Sequence, residues 1–338
     1  MHKGSCLCGD VTFTVNAAPE GPSVCHCGQC RNQSGHLWAS AYAPEHDIAI
    51  TGRVTWYEAS TTAKRGGAVG ASCLYHLARA GWTDSVLLER NELTAGSTWH
   101  AAGNVPTFST SWSVMNMQRY STELYARLGA EVDYPMNYHQ TGSIRLAHSR
   151  ERMQEFERAK GMGKHQGMDL EILGVGEIKA RYPFIETHDL HGALYDPNDG
   201  DIDPAQLTQA LAKGAREMGA RVLRFCPATG VRRENGEWIV ETEKGEIRCE
   251  IVVNAAGYYA QRVGEWFKPY GGRTVPMMVM SHQYLLSEEI PEIEAWSKEQ
   301  GRKLPLLRDV DVSYYLRQEK HGFNLGPYEP RCRAHWAD

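Results

Sequence analysis

The chain has 338 residues, room for roughly two domains. Hydrophobic residues make up 42% and charged residues 23%; 36 basic side chains stand against 41 acidic ones, a net charge of -5. That balance argues against a basic face for nucleic acid or anionic membrane, and no apolar run reaches the roughly 20 residues that span a bilayer.

The opening "MHKGSC" has no apolar signal segment, so the expected location is the cytoplasm. Residues 1–58 alternate short apolar stretches with Gly, Pro and Asn: "VTFTV" (11–15), "LWASAY" (37–42), "IAI" (48–50) and "VTWY" (54–57). This pattern predicts short β-strands. Five of the nine cysteines, Cys6, Cys8, Cys25, Cys27 and Cys30, fall in the first thirty residues. An odd total, clustered at one end and without a signal peptide, favours Zn²⁺ over disulfides. Three thiolates from 25, 27 and 30 leave a fourth tetrahedral position open.

From about residue 66 the pattern changes to helices alternating with strands. Gly67 and Gly70 lead into an amphipathic run, 71–80, and Gly81 breaks it. "SVLLE" (85–89) then reads as a strand ending in an acid. Glu89 stands 19 residues past Gly70, where a dinucleotide fold places the acid that accepts ribose hydroxyls. Such a fold needs an apolar strand directly before its glycines. Here that place holds "STTAKR" (60–65), and Arg65 occupies the position of the first glycine.

Further helices are expected at 121–128 and 151–160, and one opening at Asp203-Pro204, an N-cap acid followed by proline at the first helical position. Strands are expected at 221–225, 237–241 and 246–254.

Two resemblances follow from these segments. "GSCLCGDVTFTV", "CHCGQCRNQSG" and "VTWYEAS" resemble the glutathione-dependent formaldehyde-activating zinc family. That resemblance implies a catalytic zinc on Cys25, Cys27 and Cys30, with Cys6 and Cys8 as half of a structural zinc site. The later cysteine pair that would complete the structural site is absent, and the likeness stops near residue 60.

From Gly66 onward, "LLERNELTAGSTWHAAGNVP", "TGSIRLA", "GALYDPNDGDIDPAQLTQALAKGAREMGARV", "IVVNAAGYYA", "SHQYLL", "LPLLRDVDVSYYLRQE" and "GPYEP" resemble the dimethylglycine and sarcosine dehydrogenase branch of the D-amino-acid-oxidase-like flavoproteins. The implied fold is α/β, an FAD-binding Rossmann-like domain with a mixed-sheet substrate domain, preceded by a small partial all-β zinc module at 1–60. The implied cofactor is FAD, bonded to His100. Glu89 and Arg90 would hold the adenosine, Ser97, Thr98 and Gly103 the diphosphate and ring, and Ala256 and Gly257 would pass close by. The implied substrate is a small N-methylated amino acid, with the electron acceptor open. His282, Tyr284, Tyr314 and Tyr315 are the expected substrate contacts, and Arg308 or Arg317 would pair with a carboxylate.

His100 read alone is an ordinary buried turn histidine, and most of the tyrosines are core residues. Two other readings stand beside the flavoprotein one: a zinc protein acting on thiol adducts, and a non-catalytic fusion product. The missing first strand and an early C-terminal end predict weak FAD retention and no measurable oxidation of dimethylglycine or sarcosine.

Overall fold

The computed structural model describes the backbone of five short strands within residues 2–51, and residues 66–329 and 331–335, with side chains from 68 onward. It divides into two units, Met1–Ser60 with Ser109–Asn116, and Thr61–Phe108 with Met117–Asp338.

In the first unit, β1 (His2–Ser5), β2 (Thr12–Val15) and β5 (Ile48–Thr51) form an antiparallel sheet in the order β1-β2-β5. β3 (Glu20–Cys25) pairs with β4 (Trp38–Tyr42) in a second, two-stranded sheet. The expected β character holds, with β1 and β3 added. Cys25 closes β3 opposite Trp38, so it is a strand residue rather than a loop one. Cys6, Cys8, Cys27 and Cys30, and the expected strand at 54–57, lie outside the described residues.

The second unit carries two layers of interest. One is built on α1 (Gly66–Arg79), which starts five residues earlier than its apolar pattern and takes in both glycines. It packs with α2 (Trp112–Glu131) and the helix from Asp203 through Leu74, Tyr75, Leu124, Leu128, Leu207 and Leu211, all buried. Each such side chain contributes about 1.5–3 kcal/mol relative to exposure. Beneath them β6 (Val86–Leu88) pairs in parallel with a strand at Arg221–Leu223. The Asp203 cap forms as expected: its carboxylate accepts from the Ala205 and Gln206 N–H groups at 2.8 and 3.1 Å.

One expected strand is shorter than its pattern. Residues 246–254 give a strand only at Gly245–Cys249, and 250–256 follow without strand pairing. A β-strand needs a neighbour for its N–H and C=O groups. Among the described residues none flanks this run, and Ile251 and Val253 are 60% and 56% exposed. Gly70 lies close to both β6 and this run: a Cβ there would lie 3.0 Å from Leu87 and 3.7 Å from Ala255.

The other layer is a seven-stranded mixed sheet. Its members include β9 (Ser143–Ala147), β11 (Gly192–Asp196), β19 (Leu306–Asp309), β20 (Tyr314–Glu319) and β21 (Gly322–Pro327), counted in chain order, which lie in the order β11-β9-β19-β20-β21. β9 and β19 run parallel and the other pairs among these five antiparallel. Side chains alternate across the pleat. One face carries Ile144, Leu146 and Leu307 into a buried core with Ile178, Tyr182 and Ile293. The opposite face carries Arg145, Arg308, Tyr315 and Arg317.

Candidate substrate and cofactor site

The polar face is set by register. Arg145, Arg308, Tyr315 and Gly326 are successive cross-strand partners, so they form one row. Tyr315 is buried, and burial first, then the neighbouring Tyr328, pushes its hydroxyl up to about 12. Its ring stands 5.7 Å from Tyr328 and 6.1 Å from His282, and His282 stacks on Tyr328 at 5.9 Å. His282 Nδ1 lies 3.0 Å from Glu329 Oε2. Burial of Glu329 opposes its ionisation, but the Gln283 N–H and His282 outweigh that and hold its carboxyl below the usual range.

Arg308 is partly buried in this row and reaches the Tyr328 hydroxyl at 3.3 Å. Among the described residues it has no carboxylate within ion-pair distance. Arg317 is different. It donates to Asp201 at 3.3 Å and to Glu319, so its charge is already matched. Of the two arginines expected at a carboxylate, only Arg308 is free to take one.

The structure therefore brings His282 and Tyr315 together with Tyr328 and Arg308. Tyr284 lies near Tyr315, close enough to raise its hydroxyl pKa. Tyr314 does not join them. It pairs with Asp309 and packs on the apolar core, because adjacent strand residues point to opposite faces.

Beside the row, Gly103 has φ 74°, and a Cβ on it would stand 2.1 Å from the Ile202 carbonyl and 3.6 Å from the Arg317 guanidinium. Only glycine fits such a place. Next to it Asn104 pairs with Asp201, the partner of Arg317, and Arg317 pairs across the sheet with Asn324. Asn104 Oδ1, Arg317 Nε and Asn324 Oδ1 are all buried without a hydrogen-bond partner. Buried polar atoms left so are costly.

Of the remaining expected cofactor residues, Gly67, Gly70 and Thr98 lie at or beside the start of α1. Thr98, 1% exposed, accepts from the Ala68 N–H at 3.3 Å. Gly67 and Gly70 lie in the first turns, where helix N–H groups and dipole favour an anion. Glu89 accepts from the Asn91 N–H at 3.0 Å, and Arg90 lies over the Tyr259 ring at 4.3 Å. Tyr258 approaches Gly96, just before Ser97, and Ala256 and Gly257 lead into that tyrosine pair. His100 is exposed, with its ring tilted against Trp99 at 3.7 Å, so it is not an ordinary buried turn histidine.

Sequence reasoning did not single out Arg145, Thr107, Asp196, Asp199 or Glu329. Thr107 Oγ1 lies 2.6 Å from Asp196 Oδ2 and 2.9 Å from Asp199 Oδ1. The two acids flank Pro-Asn in "DPNDG", which was the only available signal. Among the described residues no group of three or more His, Cys, Asp or Glu is placed to hold a metal, and no helix is long and apolar enough to cross a membrane.

Residues 1–82 match the family of the glutathione-dependent formaldehyde-activating enzyme. The chain is 42% identical over 283 residues to mitochondrial dimethylglycine dehydrogenase of Rattus norvegicus, covering 82% of this chain and 32% of that protein. It is 35% identical over 271 residues to mitochondrial sarcosine dehydrogenase of Homo sapiens, covering 78% of this chain and 28% of that one. The chain thus spans about a third of the length of these relatives. The crystal structure of L-proline dehydrogenase from P. horikoshii superposes with a TM-score of 0.68 at 26% identity, over 77% of this chain and 67% of that one. Residues 66–337 match the FAD dependent oxidoreductase family, and the chain belongs to it.

Proposed function

We propose that this chain carries the amine-oxidising site of an N-methylglycine dehydrogenase, of the dimethylglycine and sarcosine type. The observation that carries it is Arg308, a cation with no carboxylate partner among the described residues, in one row with Tyr315 and beside the His282–Tyr328 stack.

FAD fits the residues present. The Gly67–Gly70 turn and Thr98 would take the diphosphate, Glu89 and Arg90 the adenosine side, and the unpartnered Asn104, Arg317 and Asn324 atoms a polar ring edge. His100 is exposed enough to carry a covalent link. When bound, FAD would supply the acceptor for a hydride leaving the N-methyl carbon.

The chain's own residues prepare the substrate. Arg308 would pair with its carboxylate in a partly desolvated place, where a charge-assisted bond is strong. The Tyr315 and Tyr328 rings offer faces to a methylated ammonium. Hydride leaves readily only from the neutral amine. His282, oriented by Glu329, is the base that would take the ammonium proton at its free ring nitrogen.

The first unit supports a second, separate reading, because residues 1–82 match a zinc family. There Cys25, Cys27 and Cys30 would hold one Zn²⁺.

The test is thermal unfolding of the FAD-supplemented chain with dimethylglycine, sarcosine or dimethylamine. The two carboxylate-bearing amines should raise the midpoint, dimethylamine should not, and Arg308→Ala should erase the difference. Equal shifts with dimethylamine, or none with any of the three, would defeat this assignment.

A further inference from the structure

Behind the arginine row, where β11 ends beside β9, two acids lie in the interior. Asp196 and Asp199 are each 1% exposed. Thr107 Oγ1 sits within hydrogen-bond distance of both, at 2.6 and 2.9 Å. A hydroxyl has one proton to donate, and an ionised carboxylate has none. With both acids ionised, one of the two short O···O contacts would have no hydrogen in it.

The surrounding donors decide where the missing hydrogen goes. Asp199 Oδ1 also accepts from the Thr107 N–H at 2.6 Å, and its Oδ2 accepts from the Ser143 hydroxyl at 2.6 Å. The Arg145 guanidinium lies 3.6 Å from that Oδ2. These groups suit a carboxylate. Among the described residues Asp196 accepts only from the Asn198 N–H, at 3.0 Å, besides the threonine. A one-directional chain satisfies every atom: Asp196 Oδ2–H donates to Thr107 Oγ1, and the Thr107 hydroxyl donates to Asp199 Oδ1.

We infer that Asp196 and Asp199 hold a single proton between them through Thr107, and that this proton keeps the Arg145–Arg308 row net positive toward a carboxylate ligand. The balance is simple. Two arginines against one negative charge leave one positive charge for the ligand; two arginines against two leave none. Asp196 is thus a positioning residue that acts through Arg145 and Arg308. The charge-setting half rests on the Arg308 reading above; the shared proton does not.

The other charges that face the pair are consistent. Arg145 comes from β9, Arg308 from β19, and the Tyr138 hydroxyl lies near both Asp199 and Asp201. Arg145 is half-buried, and among the described residues its Nε has no hydrogen-bond partner, so the arginine itself is not oversupplied with acceptors. Burial first, and then Asp199, pushes the Asp196 carboxyl up to about 6.

A folded-state pKa raised above the unfolded 3.8 means the folded protein holds this proton more tightly. The associated stability is fully present below the unfolded value and is lost as pH rises through about 6. Asp196→Asn places an amide where the protonated acid stood, able to donate to Thr107, and removes the titration. The experiment measures urea unfolding of the chain and of Asp196→Asn from pH 4.5 to 8, with and without dimethylglycine, whose carboxylate stays ionised throughout.

Without ligand, the unsubstituted chain should lose stability across this range relative to the variant. Parallel curves would overturn the shared proton. With ligand, affinity of the unsubstituted chain should weaken on the order of tenfold from pH 5 to pH 8, and that of Asp196→Asn should stay level. Equal pH dependence in both proteins would overturn the charge-setting role. Absence of dimethylglycine binding at any pH, with the ligand-free difference intact, would strike the Arg308 reading and that role with it, while upholding the shared proton.

Discussion

The Tyr315 ring lies against Gly326, its cross-strand partner: a Cβ on residue 326 would stand 2.0 Å from the ring. Real Cβ contacts do not come so close, so the glycine is a condition for the ring's position and hence for the Tyr315–Tyr328–His282 cluster. Gly326→Ala should displace the ring and cost about 1–3 kcal/mol by overpacking. Urea unfolding measures the loss. Adding Tyr315→Ala should recover part of it, a non-additive result expected of residues in contact. Additive losses would show that the two do not press on each other.

Asp201 links two cations and a histidine. It receives Lys303 at 2.7 and 2.8 Å, Arg317 at 3.3 Å and His139 at 3.1 Å, and it is buried. Burial alone would raise its carboxyl, but the His139 hydrogen bond and the Lys303 and Arg317 charges outweigh it and hold it low. Such a group contributes stability that is present above its unfolded pKa and lost as pH falls through the folded one. Asp201→Asn should cost about 3 kcal/mol at neutral pH, since it leaves the half-buried Lys303 without its carboxylate and Arg317 with Glu319 alone. The difference from the unsubstituted chain should narrow below pH 4, the side on which Asp201 itself is neutralised. A constant difference down to the acid limit would rule out this coupling.

His100 stands exposed on a turn that leads to Gly103 and the polar face. FAD bound by this chain should remain with the protein after acid precipitation, and His100→Ala should release it. Yellow colour in the supernatant of the unsubstituted protein would exclude the link.

For the zinc reading, replacing Cys27 by Ser should lower the zinc content measured by metal analysis, and Cys6→Ser should leave it nearly unchanged. The reverse outcome would assign the metal to the first pair.

FAD retention should be weak. The run at 251–254 is left without a partner strand among the described residues, with Ile251 and Val253 exposed. The stretch before α1 in sequence, "STTAKR", is polar. A five- or six-residue apolar strand would bury several side chains worth about 1.5–3 kcal/mol each, on the scale of a whole domain's stability. Arg65, in the place of the turn glycine, adds a Cβ where such turns take positive φ. Replacing 60–65 with an apolar strand ending in glycine should raise flavin occupancy, read from visible absorbance. Full occupancy in the unsubstituted chain would contradict this account.

The sequence by itself determined the features that depend on neighbours along the chain. The Asp203-Pro204 helix start is one, because an N-cap and a first-turn proline act within four residues. The change from short strands to alternating helices and strands near residue 66 is another, since hydrophobic period is a local property. The nearness of Thr98 to the Gly67–Gly70 turn was legible only through family resemblance. Tertiary structure decided the rest. Tyr314 and Tyr315 are indistinguishable in "SYYLRQE", and only pairing of β20 with β19 and β21 puts one on the core and the other on the polar face. Arg308 and Arg317 both looked available until Asp201 and Glu319 were seen to occupy the second. Thr107 meets Asp196 and Asp199 across 89 and 92 residues of chain. Shared protons, matched charges and ring contacts depend on distance in space, and sequence spacing carries that information only within an element.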